Sequence, residues 1–181
     1  ARIAREAPGV RLNFLQKPDK DCAPLREGRV DLETGVIEAT TGPELRSQAL
    51  FQDRLIGVVR QGHPLARGKM TLERYIEAGH VIVSRSGYDD DAVDGPLLPD
   101  GLRRRVVSAV SGFAAALSLV RGSDLVATAP ERHTQSLREG MTSFAIPALV
   151  RRFTVSMLWH PRLDADPGHR WLRARVREVC A

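Results

Sequence analysis

The sequence has few of the features that commit a chain to a particular chemistry. It contains two cysteines, Cys22 and Cys180, among 181 residues, and its aromatic content is 5%. Neither cysteine lies in a C-x-x-C or metal-ligand spacing, which fits a reduced compartment. The chain also lacks a Gly-x-Ser-x-Gly elbow, a phosphate-binding Walker loop and a Gly-x-Gly-x-x-Gly turn. These absences disfavour a disulfide scaffold, a serine hydrolase and a dinucleotide-binding enzyme.

Long hydrophobic runs are missing as well. The apolar stretch from Phe113 to Val120 ends at Arg121, far short of the roughly 18 residues that a bilayer-spanning helix needs. The first eight residues contain neither an initiating Met nor the apolar segment of a secretory signal. We therefore expect no membrane span, and we expect the chain to be part of a longer protein.

Positive charge is present in modest excess, with a formal net charge of +5. The arginines form short clusters interspersed with acidic and apolar residues, at 103–105, at 151–152 and along 170–177. Aromatic residues that could stack on bases are scarce, and no nucleic-acid-binding motif accompanies the charge. This pattern favours a solvated surface, with direct nucleic-acid binding by this chain as an alternative.

Two strand-like runs end at the same dipeptide, His63-Pro64 and His160-Pro161. Proline lacks a backbone N–H and biases the preceding residue away from the helical region, so each step marks the end of a strand. We interpret the two runs as crossings between two lobes. The predicted first lobe comprises residues 1–62 and 152–181, and the second comprises residues 63–151. Such an architecture favours a small molecule bound in a cleft between the lobes.

Helix and strand signals alternate through the second lobe, which is typical of a mostly parallel sheet covered by helices. Thr71 can cap the first of these helices. The predicted elements of this lobe are helices at 71–78, 112–120 and 131–137, a broken helix at 97–102, and strands at 80–84, 105–110 and 125–129. In the first lobe we expect helices at 1–7, 22–28 and 168–180 and strands at 10–15, 30–37 and 45–51.

Hydroxyl-bearing residues follow three strands of the second lobe. Ligands of open α/β sheets bind beyond the carboxyl ends of strands, where helix N-termini offer free N–H groups. The residues singled out for such a site are Ser84, Arg85, Ser86 and Gly87; Ser111, Gly112 and Phe113; Thr128 and Ala129; and, from the first lobe, Gly35 and Val36. The guanidinium of Arg85 suits a carboxylate. At each position the alternative is that the Ser or Thr only caps a helix.

The five histidines do not indicate a metal site, because no two lie at the i, i+4 spacing of zinc hydrolases. His63 and His160 are interpreted as structural turn residues. The acidic run 89–91 is typical of a solvated loop. No nucleophile, base and orienting group come together, so we predict no catalytic residue, no cofactor and no enzyme activity.

Several short motifs, taken in order, resemble one family. They are Asp31-Leu32, the stretch 54–66 with its Gly62-His63-Pro64 step, the stretch 123–130, Leu158-Trp159-His160, and 170–173. Over nearly its whole length the chain resembles the effector-binding domain of LysR-type transcriptional regulators. Within that family it is similar to the branch of nodulation and aromatic-catabolism regulators.

The resemblance implies a two-lobed α/β fold like a type II periplasmic binding protein, in which each lobe is a mixed sheet flanked by helices. It also implies a cytoplasmic homodimer or higher homo-oligomer that senses a small anionic or aromatic metabolite and controls transcription. DNA would be bound through an N-terminal helix-turn-helix domain that this sequence lacks. The effector loops implied by the family coincide with the residues singled out above.

Three further expectations follow from the resemblance. In the implied dimer, the first helix and residues 10–15 meet the helix at 112–120 of the other subunit. Glu33 stands where a buried strand favours an apolar residue, so its carboxylate faces the cleft, finds a basic partner or lies on an exposed edge. The competing function is an extracytoplasmic solute-binding protein of a transport system, which shares the fold.

Overall fold

A computed structural model describes residues 2–17, 21–37, 41–84, 98–99, 101–147 and 152–181. The chain divides into two compact units, Ala1–Gln52 with Thr154–Ala181, and Asp53–Phe153. The second unit is one continuous segment inserted into the first. Both divisions fall within strands, one between Gln52 and Asp53 and the other between Phe153 and Thr154. The lobe boundaries at 62/63 and 151/152 stay a prediction.

The described residues form α-helices and β-strands in both units. The helices are α1 (Arg2–Glu6), α2 (Ala23–Arg26), α3 (Leu72–Glu77), α4 (Phe113–Arg121) and α5 (Pro167–Cys180). The strands are β1 (Glu33–Val36), β2 (Arg46–Asp53), β3 (Leu55–Arg60), β4 (Gly79–Val83), β5 (Arg105–Val110), β6 (Leu125–Pro130), β7 (Met141–Phe144) and β8 (Phe153–Trp159). No helix within the described ranges has the length and apolarity to cross a bilayer.

The first unit is built around a three-stranded sheet in the order β1-β8-β2. β1 runs antiparallel to β8, with Gly35 opposite Ser156. Met157 and Leu158 of β8 are buried. The long helix α5 begins at an Asp166 cap, whose carboxylate accepts the N–H of His169 at 2.6 Å, with Pro167 in the first turn.

The second unit contains a five-stranded sheet in the order β5-β4-β6-β3-β7. β4 is parallel to β5 and β6, whereas β3 is antiparallel to β6 and β7. Successive side chains of a strand point to opposite faces, and both faces are covered. Val58 joins a core with Leu117 of α4, whereas Val59 joins a second core with Tyr75 of α3. The predicted α/β class is confirmed.

Both His-Pro steps start a short 3-10 helix. His160 directly follows β8, whereas the turn residues Gln61 and Gly62 separate β3 from His63. His63 Nδ1 accepts the N–H of Leu65 at 3.0 Å, and its Nε2 lies 3.1 Å from the carbonyl oxygen of Asp124. His160 Nδ1 accepts the N–H of Arg162 at 3.3 Å. The predicted structural role of both histidines is confirmed, and Thr71 caps α3 as predicted through the N–H of Arg74.

The predicted strand at 10–15 is wrong. These residues carry no regular secondary structure, and Phe14 is 88% exposed. An apolar-polar alternation indicates which faces a strand would present but supplies no neighbouring strand to complete its hydrogen bonds. The described part of the first unit offers this segment no ladder partner.

The predicted helix at 131–137 is wrong too. Pro130 is the last residue of β6, opposite Leu55, and a turn separates it from a 3-10 helix at Gln135–Arg138. The buried carboxylate of Asp53 holds this turn by accepting the N–H groups of Arg132 at 2.9 Å and His133 at 3.1 Å. A broken helix was predicted at 97–102. In this segment the N–H of Leu102 donates to the carbonyl of Pro99 in a turn. Residues 97 and 100 lie outside the described ranges.

Candidate functional site

Two of the predicted hydroxyl-bearing residues follow the carboxyl ends of neighbouring strands in the five-stranded sheet. Ser84 follows β4 and Ser111 follows β5, and the two strands are parallel neighbours, so their carboxyl ends lie together. The N–H of Ser84 donates to the carbonyl of Val110 at 2.9 Å, which holds Ser84 beside the end of β5. Ser84 is half-buried and Ser111 is exposed. This edge can therefore offer hydroxyls to a bound molecule.

The N-terminus of α4 adds backbone donors beside Ser111. Gly112 is the N-cap residue and has no side chain to satisfy the first N–H groups, and the first turn contains no acidic residue. A Cβ at Gly112 would meet nothing within 4 Å. Free N–H groups at a helix start attract anions. Phe113 itself packs against the core cluster and lies edge-on to the ring of His133, with centroids 6.0 Å apart.

Thr128 belongs to a polar network beneath α3. Its hydroxyl lies 2.6 Å from the phenol oxygen of Tyr75 and accepts a hydrogen bond from Arg104 Nη1 at 2.9 Å. Arg104 is 4% exposed, so its positive charge acts in a region of reduced dielectric constant. The neighbouring Ala129 is fully buried in the core beside α4, so its membership of a ligand site stays a prediction.

The sequence interpretation missed three members of this network, Tyr75, His80 and Arg104. Ring nitrogen Nε2 of His80 lies 2.6 Å from the carbonyl oxygen of Tyr75, and the two rings meet edge-on at 4.7 Å. Tyr75 belongs to the predicted helix at 71–78, but no local pattern indicated its polar partners. Nothing local distinguishes Arg104 from its neighbours Arg103 and Arg105, because its burial depends on Thr128 across the sheet.

A bidentate ion pair stands at the carboxyl end of β6. Arg54 Nε and Nη2 donate to the two carboxylate oxygens of Glu131 at 2.5 and 2.9 Å. The hydrogen bond from Arg54 holds the pKa of Glu131 below its usual value. This pair fixes the chain after β6 together with the Asp53 carboxylate.

Gly35 and Val36 lie in the first unit, on β1. Val36 is 45% exposed. Glu33, at the start of the same strand, accepts a hydrogen bond from Lys17 Nζ at 2.6 Å, so of the three expectations for its carboxylate the basic partner is found. Arg85, Ser86 and Gly87 lie outside the described residues, as does the acidic run 89–91.

Comparison with known proteins identifies one family. Residues 1–181 match the family described as the LysR substrate binding domain. The chain is 30% identical to the HTH-type transcriptional activator NagR of Ralstonia sp., over 98% of this chain and 60% of that protein. It is 31% identical to nodulation protein D of Rhizobium leguminosarum bv. trifolii, over 98% of this chain and 56% of that protein. The chain thus spans less than two thirds of these relatives.

The fold is similar to that of solved regulators. A probable transcriptional regulator of Pseudomonas aeruginosa superimposes with a TM-score of 0.84 at 28% identity, over 97% of this chain and 60% of that one. Such regulatory domains have the fold of type II periplasmic binding proteins, so the predicted fold is confirmed.

Proposed function

The chain belongs to the LysR substrate-binding domain family, and from this we propose that it is the effector-sensing domain of a bacterial LysR-type transcriptional regulator. The observation that carries the proposal is the family match over residues 1–181. Several relatives are HTH-type transcriptional activators or regulators, which supports a regulator over a solute-binding protein of a transport system. The family is not an enzyme family, and we propose no catalytic activity for this chain.

The proposed effector is a small anionic or aromatic metabolite, bound at the carboxyl edge of the five-stranded sheet. Ser84 and Ser111 supply hydroxyls there, and the α4 N-terminus supplies N–H groups. The Thr128 hydroxyl links this edge to the buried guanidinium of Arg104. These groups together offer more hydrogen-bond donors than acceptors, and Arg104 adds a positive charge, which favours a carboxylate ligand. Arg85, Ser86, Gly87, Gly35 and Val36 stay predicted members of the site.

The proposed mechanism is a shift in the population of two arrangements of a cytoplasmic homodimer or higher homo-oligomer. An effector favours one arrangement by the difference between its two affinities, and one that binds both arrangements equally changes nothing. DNA would be bound through a helix-turn-helix domain outside this sequence.

The site can be tested by removing one hydroxyl at a time. In a calorimetric screen of small aromatic and aliphatic carboxylates, S84A, S111A and T128V should each weaken the best ligand by about 0.5–3 kcal/mol, because each removes one hydrogen bond that the bound ligand would bury. S136A, which removes an exposed hydroxyl from the 3-10 helix of the same unit, is the matched control and should bind normally. Unchanged affinity in all three site variants would reject this site.

A further inference from the structure

The first unit contains an open pocket that the proposed function does not use. It has a volume of about 650 Å³ and lies along one face of α5, with Gln48 of β2 and Trp159 of β8 at its margin. The helix contributes Arg170, Arg173 and Arg177 to the lining. These three positions are spaced by three and four residues, so they share one face of the helix. A basic stripe therefore lines the pocket.

Arg173 already has partners within the protein. Its guanidinium lies over the Trp159 ring, 4.6 Å from the centroid. It also donates to the carbonyls of Leu163 and Asp164 at 3.1 and 3.2 Å. Arg173 thus holds the indole of Trp159 in place at the wall of the pocket and is a positioning residue.

Arg170 and Arg177 differ from Arg173, because neither guanidinium makes a hydrogen bond or ion pair with any described residue. Both are exposed, and their Cα atoms are separated by about 10.5 Å along the helix axis, two turns of the same face. The nearby carboxylate of Asp164 is taken by Trp159 and Arg46, and that of Glu178 by Arg175. No acidic residue lines the pocket, so its charge is uncompensated within the described parts of the chain.

The pocket also contains both tryptophans of the sequence, Trp159 and Trp171. Trp159 is 9% exposed and Trp171 is half-buried. An indole face beside a guanidinium accommodates a flat ring bearing a negative group, because the ring stacks while the charge is held by a planar fork of N–H donors.

We propose that this pocket is a second small-molecule site, which binds a planar aromatic carboxylate with its ring against Trp171 and its carboxylate on Arg170 or Arg177. The site lies wholly within the first unit and is separate from the hydroxyl-lined edge of the second. A molecule bound here contacts β2, β8 and α5 together and stabilises the first unit.

Intrinsic fluorescence tests the proposal directly, because every tryptophan of the chain lines the pocket. Benzoate is the probe, acetate supplies the charge without the ring, and benzyl alcohol supplies the ring without the charge. After correction for absorbance, benzoate should change the emission saturably. Acetate and benzyl alcohol should bind at least about tenfold more weakly, since each lacks one of the two interactions.

Two matched double variants locate the binding. R170Q/R177Q should lose benzoate affinity by about tenfold or more, whereas R11Q/R67Q, which removes two exposed arginines outside the pocket, should bind as the parent does. Circular dichroism verifies that each variant is folded. The S84A/T128V variant should keep the response, which separates this site from the proposed effector site.

Several results would overturn the proposal. They are the absence of a saturable response to benzoate, equal binding of benzyl alcohol or acetate, and an equal loss in R11Q/R67Q. A response to a short DNA duplex without one to benzoate would assign the basic stripe to nucleic acid instead.

Discussion

Among individual residues, Asp164 connects three parts of the first unit. One carboxylate oxygen accepts the indole N–H of Trp159 at 2.6 Å, and the other accepts from Arg46 at 3.2 Å. The hydrogen bond from Trp159, followed by that from Arg46, holds the pKa of Asp164 below its usual value. The caps formed by His63, His160 and Thr71 were predictable because each side chain accepts a backbone N–H only two or three residues further along the chain. Asp164 and Arg104 were not, because their partners lie elsewhere in the sequence.

The lowered pKa of Asp164 predicts a pH-dependent stability. The unfolded chain takes up the proton near the ordinary aspartate pKa of about 4, before the folded state does. The contribution of Asp164 is therefore present above that pKa and is lost as pH falls through the lower folded value. D164N keeps an oxygen for Trp159 but cannot titrate, so its free energy of unfolding should fall less steeply below about pH 4.

Urea unfolding at a series of pH values between about 3 and 6 measures this slope. D31N is the control, because Asp31 is exposed and its carboxylate makes no hydrogen bond with a described residue. It should follow the parent more closely than D164N does. Parallel curves for D164N and the parent would contradict the assignment.

At the scale of helices and strands, hydrophobic periodicity predicted most of the second unit. Strand β5 occurs at the predicted 105–110 and α4 lies within one residue of its predicted bounds. The failures, at 10–15 and 131–137, are segments whose structure depends on distant partners. Strand β7 was missed because it has four residues and, among the described strands, pairs only with β3. Pairing across the sheet is not encoded in any local pattern.

The pairing of β3 with β7 depends on a glycine. Gly57 lies opposite Phe144, and a Cβ at Gly57 would come within 2.3 Å of the phenyl ring. That ring also packs edge-on to Tyr75, with centroids 6.3 Å apart, so it has little freedom to move. G57A should lower the free energy of unfolding by about 1–3 kcal/mol through overpacking.

Chemical denaturation compares G57A with G122A, whose added Cβ would meet nothing within 4 Å. G122A should be close to neutral. The double variant G57A/F144L should recover part of the loss, since the smaller side chain leaves room for the methyl group. A G57A variant as stable as G122A would refute the steric explanation.

For the whole molecule, exposed apolar side chains bear on the proposed dimer. Phe14 is 88% and Leu15 62% exposed in the first unit, and Leu119 on α4 of the second is 43% exposed. The family resemblance pairs these two regions across the dimer. Isolated apolar residues are common on surfaces, but neighbouring ones favour an interface.

F14E and L119E should therefore shift the protein from dimer towards monomer, because each would bury a charge in the interface. Light scattering during size-exclusion chromatography measures the mass. V179E is the control, since Val179 is 70% exposed on α5, outside the proposed interface. A parent that is monomeric, or a V179E variant that dissociates equally, would count against the dimer.

The central position of β8 in the three-stranded sheet has a consequence for synthesis on the ribosome. β1 and β2 each pair with β8, which begins about a hundred residues after β2 ends. In contrast, the described strands of the five-stranded sheet are all complete by residue 144. During translation the five-stranded sheet can therefore form first, whereas β1 and β2 lack their central strand until β8 has been made.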